Sequence, residues 1–326
     1  MNIAYLSQSE KNKAVRCLAC NHKCLIPDGK RGICGVRENV CGDLRLLVYG
    51  KPCVVNVNPV EKKPLYHFLP GKTAFSIGTV GCNFKCGFCQ NWQMSQNKEI
   101  VGQNLSPKKI KSMVTDPIVA YTYNEPSIFF EYAADIAQEL PDLKHVLVTN
   151  GYFSKEALDK MTFIDAMNID LKSSRPDFYQ KNCGAKLQPV LDNIKAVYEK
   201  GIWLEITTLL IPEENDSLVE LREIARFIAK ISPDIPWHIS AFHPDFQMVN
   251  RRNTTFQDLV KAYNVGKEAG LNYVYLGNIN NNEYNSTFCP KCKKLLIKRV
   301  GYSVSVEGLI NGQCKFCGQE IKGVWK

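Results

Sequence analysis

The 326-residue chain contains no hydrophobic run that approaches the roughly 20 residues of a membrane-spanning helix. Its first residues, Met1 to Tyr5, lack the basic and apolar regions of a secretory signal peptide. There is no low-complexity tract, and 45% of the residues are hydrophobic, which is enough to build a full core. We therefore expect a folded, cytoplasmic protein that does not associate with a membrane.

Acidic residues are fewer than basic ones, with 32 Asp and Glu against 41 Lys and Arg, giving a formal net charge of +9. This surplus favours an anionic partner such as nucleic acid, although ordinary basic solubility explains it equally simply. The positive residues are scattered, except for one group at 108–111 and another at 291–299. The second group lies inside a cysteine module, where it could contact a phosphate backbone.

Cysteine is abundant, with 14 residues. Without an export signal, so many cysteines indicate metal binding more than disulfides. Their distribution predicts three segments: a cysteine-rich metal-binding segment at 1–60, a core at 61–285 and a zinc-ribbon-like module at 286–326.

The core alternates short apolar strands with amphipathic helices. Helix starts are predicted at Pro126, at Pro189 and at Ser217, which together with Glu220 forms a capping box. Such repeats indicate βα units around a parallel sheet. The fold class is α/β, and about six units suggest a partial (β/α)6 TIM-like barrel, with a doubly wound sheet as the alternative. Strands are predicted at 74–77, 118–122, 145–149, 166–171, 204–210, 238–242 and 273–276.

The most specific pattern is Cys-x-x-x-Cys-x-Phe-Cys at Cys82, Cys86 and Cys89, directly after the first predicted strand. Thiolates are the usual ligands of iron–sulfur clusters. Three of them on one loop would hold three irons of a [4Fe–4S] cluster and leave the fourth open to a small molecule. A zinc loop or three reduced thiols are the alternatives. In a barrel this loop would lie at the C-terminal ends of the strands, where active sites are found.

The stretch from Gly81 to Asn91 resembles the cluster loop of the radical S-adenosylmethionine (SAM) enzymes. The resemblance implies that the open iron binds SAM and that one electron cleaves it to a 5′-deoxyadenosyl radical, which abstracts hydrogen from a substrate. An electron donor such as flavodoxin or ferredoxin would supply that electron. Residues 121–126, 148–151 and 169–172, which follow the next three strands, look like motifs of the activating enzymes of glycyl radical enzymes, such as pyruvate formate-lyase activase.

The chain resembles the radical SAM member of the AmmeMemoRadiSam system more closely than it resembles these activases. This resemblance includes the N-terminal spacing of Cys17, Cys20 and Cys24 and the segment Gly32-Ile33-Cys34-Gly35-Val36-Arg37, and it extends from residue 17 to about residue 280. Memo and Amme proteins are partners that this resemblance implies.

The same resemblance suggests how SAM is held. Asn124 and Glu125 would meet its ammonium group, and Lys172 its carboxylate, unless this lysine is a solvated helix start. Phe88 would pack against adenine. His243 would lie near the ribose, with a structural turn histidine as the alternative.

Further roles are suggested for residues around these positions. Asp170 and Thr149 match ligands of a monovalent cation beside SAM, although Val148 replaces an aspartate of that pattern. Cys183 could donate a hydrogen atom or form a substrate adduct, but a buried thiol that packs as a small apolar side chain is the simpler interpretation.

Two further cysteine sets flank the core. The C-terminal set forms two Cys-x-x-Cys pairs and predicts a zinc ribbon; it is Cys289, Cys292, Cys314 and Cys317. The N-terminal set has the spacing of four ligands and predicts structural zinc or an auxiliary iron–sulfur cluster; it is Cys17, Cys20, Cys24 and Cys34. His22 could substitute for one ligand there, and Cys41 and Cys53 are spare thiols.

The sequence therefore predicts a radical SAM enzyme with a macromolecular substrate, either a protein such as a glycyl radical enzyme or an RNA. A small-molecule substrate becomes the expectation if neither copurifies. The alternative is a zinc-ribbon nucleic-acid-binding protein in which the central cysteines are structural.

Overall fold

The computed structural model describes residues 3–279 and 281–326. Its N-terminal part forms two small antiparallel sheets. Apolar side chains of their strands are buried in the interior of the molecule. The first sheet comprises β1 (Ser7–Ser9), β2 (Val15–Cys17) and β3 (Leu25–Ile26), and the second comprises β4 (Arg37–Val40) and β5 (Asp43–Leu46). A 3₁₀ turn, Lys11–Lys13, separates β1 from β2.

Within the described residues, the centre of the fold is an eight-stranded sheet whose strands lie in chain order. The first strand is antiparallel to the second, and the other neighbours are parallel. The strands are β6 (Val54–Pro59), β7 (Thr73–Gly78), β8 (Ile118–Tyr121), β9 (Lys144–Thr149), β10 (Ala166–Asp170), β11 (Trp203–Leu210), β12 (Trp237–Ala241) and β13 (Val274–Gly277).

This strand order excludes the doubly wound alternative. A doubly wound sheet reverses its strand order at a switch point, whereas here every crossover advances in the same direction. The order is the one expected of an incomplete barrel. All seven predicted strands are present, so the parallel part holds one strand more than the six units suggested. Strand β6, which precedes residue 60, is an edge of this sheet, and the three-segment division stays a prediction.

Helices occupy the connections between the strands. They are α1 (Trp92–Ser95), α2 (Pro107–Lys111), α3 (Phe130–Glu139), α4 (Lys155–Leu158), α5 (Pro176–Phe178), α6 (Gln188–Glu199), α7 (Leu218–Ile231) and α8 (Phe256–Glu268). Shorter 3₁₀ turns lie at Val60–Lys62 and Pro126–Phe129, and a π-helical turn at Tyr179–Cys183. None of the helices in residues 3–279 and 281–326 is both long enough and apolar enough to traverse a bilayer.

The predicted helix starts are confirmed, with one correction. Pro126 begins the turn that leads into α3, and Pro189 lies in the first turn of α6. Ser217 caps α7 by accepting a hydrogen bond from the Glu220 backbone, at 3.3 Å. The Glu220 carboxylate does not complete the predicted capping box, because it accepts a hydrogen bond from Ser173 instead.

The N-terminal part is attached to the core by a buried ion pair. Arg37 of β4 and Glu131 of α3 are each at most 2% exposed, and Nη1 of the arginine donates to Oε1 of the glutamate at 3.1 Å. Arg37 Nε also donates to the carbonyl of Ile128, at 2.9 Å. A buried pair of this kind is costly to break, because the remaining charge has no solvent to stabilise it.

The C-terminal part packs against the core in a cluster that includes Tyr273 and Tyr275. It contains β14 (Thr287–Phe288), β15 (Leu295–Val300), β16 (Ser303–Val306), β17 (Leu309–Ile310) and β18 (Gln313–Cys314). Arg299 of β15 is fully buried, donates to the Tyr66 carbonyl at 2.6 Å and lies 4.2 Å from the centre of the Tyr66 ring. A second buried arginine therefore attaches the second flanking module.

Replacement of Glu131 by alanine tests the N-terminal attachment. We expect the free energy of unfolding of zinc-loaded protein, measured by urea denaturation, to fall by about 3–5 kcal/mol, because Arg37 remains buried and unpaired. The control is Glu139→Ala, on the same helix as Glu131, which removes a partly exposed pair with Lys111 of α2 and should cost less than about 1 kcal/mol. Equal losses in the two variants would contradict the role given to the buried pair.

Candidate active site

The C-terminal ends of the parallel strands surround a cleft of about 800 Å³. This volume is within the range of sites for small molecules and cofactors. The cleft brings together side chains that the sequence analysis selected from four separate strand ends. They are Cys82, Cys86, Phe88, Cys89, Asn124, Glu125, Thr149, Asp170 and Lys172.

The loop that carries Cys82, Cys86 and Cys89 is fixed by close packing at its start. Gly81 has φ +86°, and a Cβ added there would lie 2.6 Å from the Cys34 carbonyl oxygen. The backbone approaches so closely that only glycine fits this position. Asn124 holds the same turn from the cleft side, because its Nδ2 donates to the Gly81 carbonyl at 2.9 Å.

The three thiols are each held by polar neighbours. The Phe84 backbone donates to the Cys82 sulfur at 3.4 Å, and the Cys89 sulfur lies 3.1 Å from the Ser95 hydroxyl. A hydrogen bond from the Cys183 thiol lowers the pKa of Cys86. These contacts restrain the positions of the three sulfurs on the loop.

Cys183 packs against the cysteine loop on the side away from the cleft. It is fully buried and is absent from the residues that line the cleft, and its carbonyl accepts a hydrogen bond from the Lys85 backbone at 2.9 Å. This position does not favour the predicted hydrogen-atom or adduct role, which would require access to the substrate. Its contact with Cys86 indicates that it supports the loop.

Glu125 links two strand ends. Its carboxylate accepts hydrogen bonds from the Ser127 backbone at 3.0 Å, the Thr149 hydroxyl at 2.9 Å and the Asn150 backbone at 2.8 Å. Burial raises the pKa of Glu125, and these donors act against that rise. The side chain lines the cleft and also ties the segment after β8 to the end of β9.

Lys172 and Asp170 form an ion pair at the end of β10. Nζ of the lysine lies 2.8 Å from Oδ2 of the aspartate and 5.6 Å from the centre of the Phe88 ring. Burial acts to lower the pKa of Lys172, but the charges of Asp170 and Cys86 outweigh it and raise that pKa. The lysine is thus a charged, positioned group, and the carboxylate predicted to bind a cation already has a cationic partner.

His243 is not brought to the cleft. Its side chain is exposed and does not contribute to the lining, so the predicted position beside the ribose is not favoured by the structure. Ser240 and His238, on the preceding strand β12, line the cleft instead. His238 Nε2 lies 2.6 Å from Oε2 of the buried Glu205.

Sequence reasoning missed a buried lysine in the cleft wall. Lys63 is 2% exposed, donates to Asn58 Oδ1 at 3.2 Å and lies 4.5 Å from the centre of the Tyr123 ring. Burial lowers the pKa of Lys63 to about 7. The run Glu61-Lys62-Lys63 has the composition of a solvated turn, so its sequence carries no signal of this burial.

The C-terminal module also reaches the cleft. Gly301 and Tyr302, in the turn between β15 and β16, line it together with Asn285. Tyr302 remains 58% exposed, at the rim. The sequence presents this module as a separate unit, so its contribution to the cleft becomes visible only in the folded chain.

The C-terminal cysteines are arranged for a single metal ion. The Cys289 and Cys317 sulfurs are 3.6 Å apart, as are those of Cys292 and Cys314. A tetrahedral zinc ion with bonds of about 2.3 Å separates its thiolates by about 3.8 Å. Within the described residues, these four cysteines form a group whose sulfur atoms all lie within 4.8 Å of one another.

Two backbone contacts locate the N-terminal cysteines: the Cys17 backbone donates to the Cys24 carbonyl at 2.9 Å, and the Cys34 carbonyl lies against Gly81 at the start of the cysteine loop. Cys17, Cys20 and Cys34 are buried, and Cys24 is partly buried. His22 Nε2 lies 2.8 Å from the Asn83 carbonyl, which leaves Nδ1 as the ring nitrogen that could act as a ligand.

Comparison with known proteins agrees with this geometry. A model described as "Radical SAM superfamily" matches residues 76–228, which include the cysteine loop and the ends of β8 to β10. An uncharacterized protein of Methanocaldococcus jannaschii is 39% identical over 328 residues, covering 97% of each chain. A putative glycyl-radical enzyme activating enzyme of the same organism is 29% identical over 205 residues, which is 60% of this chain and 76% of that protein.

Among solved structures, a radical SAM methyltransferase from Sphaerobacter thermophilus has a similar fold. The TM-score is 0.51 at 14% identity, over 64% of this chain and 67% of that chain. At this identity the similarity concerns the fold alone.

The buried Lys63 predicts a specific pH dependence of stability. Its folded-state pKa of about 7 lies below the ordinary 10.5, so between these values the unfolded chain binds more protons and wild-type stability rises with pH. We expect Lys63→Met to gain stability relative to wild type at pH 7 and to lose that advantage towards pH 10.5. The slope of the difference should be on the order of 1 kcal/mol per pH unit.

The control for this experiment is Lys72→Met, which removes the same charge from an exposed residue that does not contribute to the lowered pKa of Lys63. Its unfolding free energy, measured by urea denaturation across the same pH range, should follow that of wild type. A Lys63 variant that also follows wild type at every pH would contradict the buried, perturbed lysine.

Proposed function

The chain belongs to the radical SAM superfamily, and from that premise we propose that it cleaves SAM at a [4Fe–4S] cluster held by Cys82, Cys86 and Cys89. The family implies both the cluster and SAM. When bound, they supply an organic radical that abstracts hydrogen from a substrate. The observation that carries the proposal is the convergence of these three thiols with Phe88 and Lys172 in one cleft.

The residues present fit a cluster better than a single ion. Within the described residues, the sulfurs of the C-terminal cysteines all lie within 4.8 Å of one another, and those of Cys82, Cys86 and Cys89 do not. A cluster assigns each thiolate to a different iron and therefore needs a wider spacing than zinc does. The remaining space of the cleft leaves room for a cofactor beside the loop.

Several residues of the cleft are suited to hold SAM. Lys172 supplies a fixed positive charge for the carboxylate, and Phe88 supplies an apolar ring close to it. Both oxygens of Glu125 already accept hydrogen bonds, so we propose that it and Asn124 mainly position the surrounding backbone. A monovalent cation would have to compete with Lys172 for Asp170, and we leave it out of the proposed site.

We assign zinc to the C-terminal cysteines. Their sulfur separations of 3.6 Å fit one tetrahedral ion. A module of this size needs such an ion to fold stably. Zinc would thereby fix the turn at Tyr302 against the cleft.

A protein is the substrate that the features of the site favour. The cleft is open at a rim that includes Tyr302 from the flanking module, and one relative is described as an activating enzyme, a class named for acting on another enzyme. Membership of the AmmeMemoRadiSam subgroup, with Memo and Amme proteins as partners and flavodoxin or ferredoxin as electron donor, belongs to this proposal.

Replacement of Cys86 by alanine tests the assignment of the cluster. We expect SAM cleavage, measured as 5′-deoxyadenosine formed with dithionite under anaerobic conditions, to fall to the background rate, because the loop loses one of its three thiolates. Zinc bound at the C-terminal cysteines should be retained in this variant.

Two controls accompany this variant. Cys41→Ala removes an exposed thiol far in sequence from the loop and should cleave SAM like wild type. Cys292→Ala should lose zinc and stability while SAM cleavage continues. Cleavage that survives in Cys86→Ala, or is lost equally with Cys41→Ala, would overturn the assignment.

The substrate class is tested by anaerobic affinity purification of the wild-type chain, with bound protein and bound RNA both identified. A candidate protein counts as substrate when adding it pure increases 5′-deoxyadenosine formation and Tyr302→Ala weakens that increase. Stimulation by RNA, with no protein acting in this way, would refute the protein substrate.

A further inference from the structure

We infer that Ser95, held in place by Gln96, donates a hydrogen bond to the Cys89 thiolate and thereby raises the reduction potential of the cluster that we assign to the cysteine loop. The inference rests on the proposed function for the identity of that cluster. It gives the two residues at the end of α1 and just after it a role in electron uptake, separate from the binding of SAM.

The first observation is a buried hydroxyl directed at a ligand sulfur. Ser95 Oγ lies 3.1 Å from Cys89 Sγ, and Ser95 is only 4% exposed. A cysteine that binds a metal is a thiolate and has no proton to donate. In the loaded site the hydroxyl is therefore the donor of this pair, and a hydrogen bond to an ionised acceptor is among the strong ones.

The side chain of Gln96 fixes the orientation of this hydroxyl. Its Nε2 donates to Ser95 Oγ at 3.1 Å and to the Phe84 carbonyl at 3.2 Å. A carbonyl oxygen only accepts hydrogen bonds, so the contact with Phe84 identifies the nitrogen end of the amide. Because the amide donates to Ser95 Oγ, the hydroxyl hydrogen is directed elsewhere and is available to Cys89.

The main chain around α1 holds the serine against the loop. The Ser95 backbone donates to the Asn91 carbonyl at 2.9 Å. The Met94 carbonyl accepts a hydrogen bond from the Gly81 backbone at 3.0 Å. The start of the cysteine loop and the helix that follows its last cysteine are therefore joined directly, which keeps the hydroxyl at a constant distance from the sulfur.

The same glutamine also holds the donor to a second ligand sulfur. Phe84, whose carbonyl accepts from Gln96, donates its own backbone N–H to Cys82 Sγ at 3.4 Å. Two of the three sulfurs thus receive a hydrogen bond, one from a side chain and one from the main chain. The bond from Ser95 is the one that a substitution can remove without altering the backbone.

The direction of the effect follows from charge. Reduction adds one electron from an external donor and transfers no atom, so the thiolate sulfurs become more negative. A hydroxyl dipole directed at Cys89 stabilises the reduced form more than the oxidised form, and hydrogen bonds to sulfur are among the factors that set iron–sulfur potentials. Burial of Ser95 strengthens the effect, because solvent screens it little.

Potentiometric titration of anaerobically reconstituted protein tests the inference. The signal to follow is the electron paramagnetic resonance of the reduced four-iron cluster that changes when SAM is added to a separate sample. We expect Ser95→Ala to shift the one-electron reduction equilibrium about tenfold towards the oxidised form, which lowers the midpoint potential by about 59 mV. Gln96→Leu should lower the potential by a smaller amount, because the hydroxyl loses its orientation.

Two control variants separate the hydroxyl from packing. Ser95→Thr keeps the hydroxyl and should titrate like wild type. Ser112→Ala removes an exposed hydroxyl from another segment and should also titrate like wild type. A shift in Ser95→Thr as large as that in Ser95→Ala would assign the effect to packing and contradict the inference.

Iron is counted in every sample before titration. A wild-type potential in Ser95→Ala that retains the iron content of wild type would overturn the inference. If Ser95→Ala loses the cluster, Gln96→Leu decides in its place, and a wild-type potential in that variant overturns the inference. Wild-type protein that assembles no four-iron cluster would instead refute the proposed function.

Discussion

The shape of the cleft depends on one buried carboxylate. Glu125 follows β8 and accepts hydrogen bonds from Thr149 and Asn150 at the end of β9, so two strand ends share one anchor. Asn124, the preceding residue, fixes the start of the cysteine loop after β7. Two adjacent side chains therefore connect three consecutive strand ends, and the thiols line the same cleft as Lys172, which follows β10.

Each flanking module is attached to the core by a buried arginine. On one side Arg37 is buried against Glu131, and on the other Arg299 is buried against Tyr66. A buried guanidinium needs several fixed acceptors. Arg37 donates to the Ile128 carbonyl as well as to Glu131, and Arg299 donates to the Tyr66 carbonyl and the Thr287 hydroxyl. Both modules thereby take defined positions on the core, and both contact the region of the cleft.

The parts of this site that follow from sequence are local in the chain. The thiols of the loop lie within eight residues, and the motifs at strand ends are contiguous, so spacing alone identifies them. The parallel strands are also recognisable, because burial on both faces makes them continuously apolar, as in β8. For these reasons all seven strands and nine of the selected cleft residues were predictable.

The remainder depends on contacts between distant segments. Lys63 is buried by Tyr123 and Asn58, and Tyr302 reaches the rim because Arg299 anchors its hairpin on Tyr66. His243 follows the end of β12, but the chain has already turned away from the cleft there. The Glu220 carboxylate accepts a hydrogen bond from Ser173 in another loop, and it does not complete the expected capping box with Ser217. Local pattern contains none of this information.

The central claim is that the cysteine loop presents a cluster to SAM inside the cleft. Electron paramagnetic resonance of anaerobic, dithionite-reduced protein, recorded before and after addition of SAM, tests it most directly. The account predicts the signal of a reduced four-iron cluster that changes when SAM is added and that keeps its original form in Lys172→Ala at the same SAM concentration. A spectrum that SAM leaves unaltered in the wild-type protein would contradict the account.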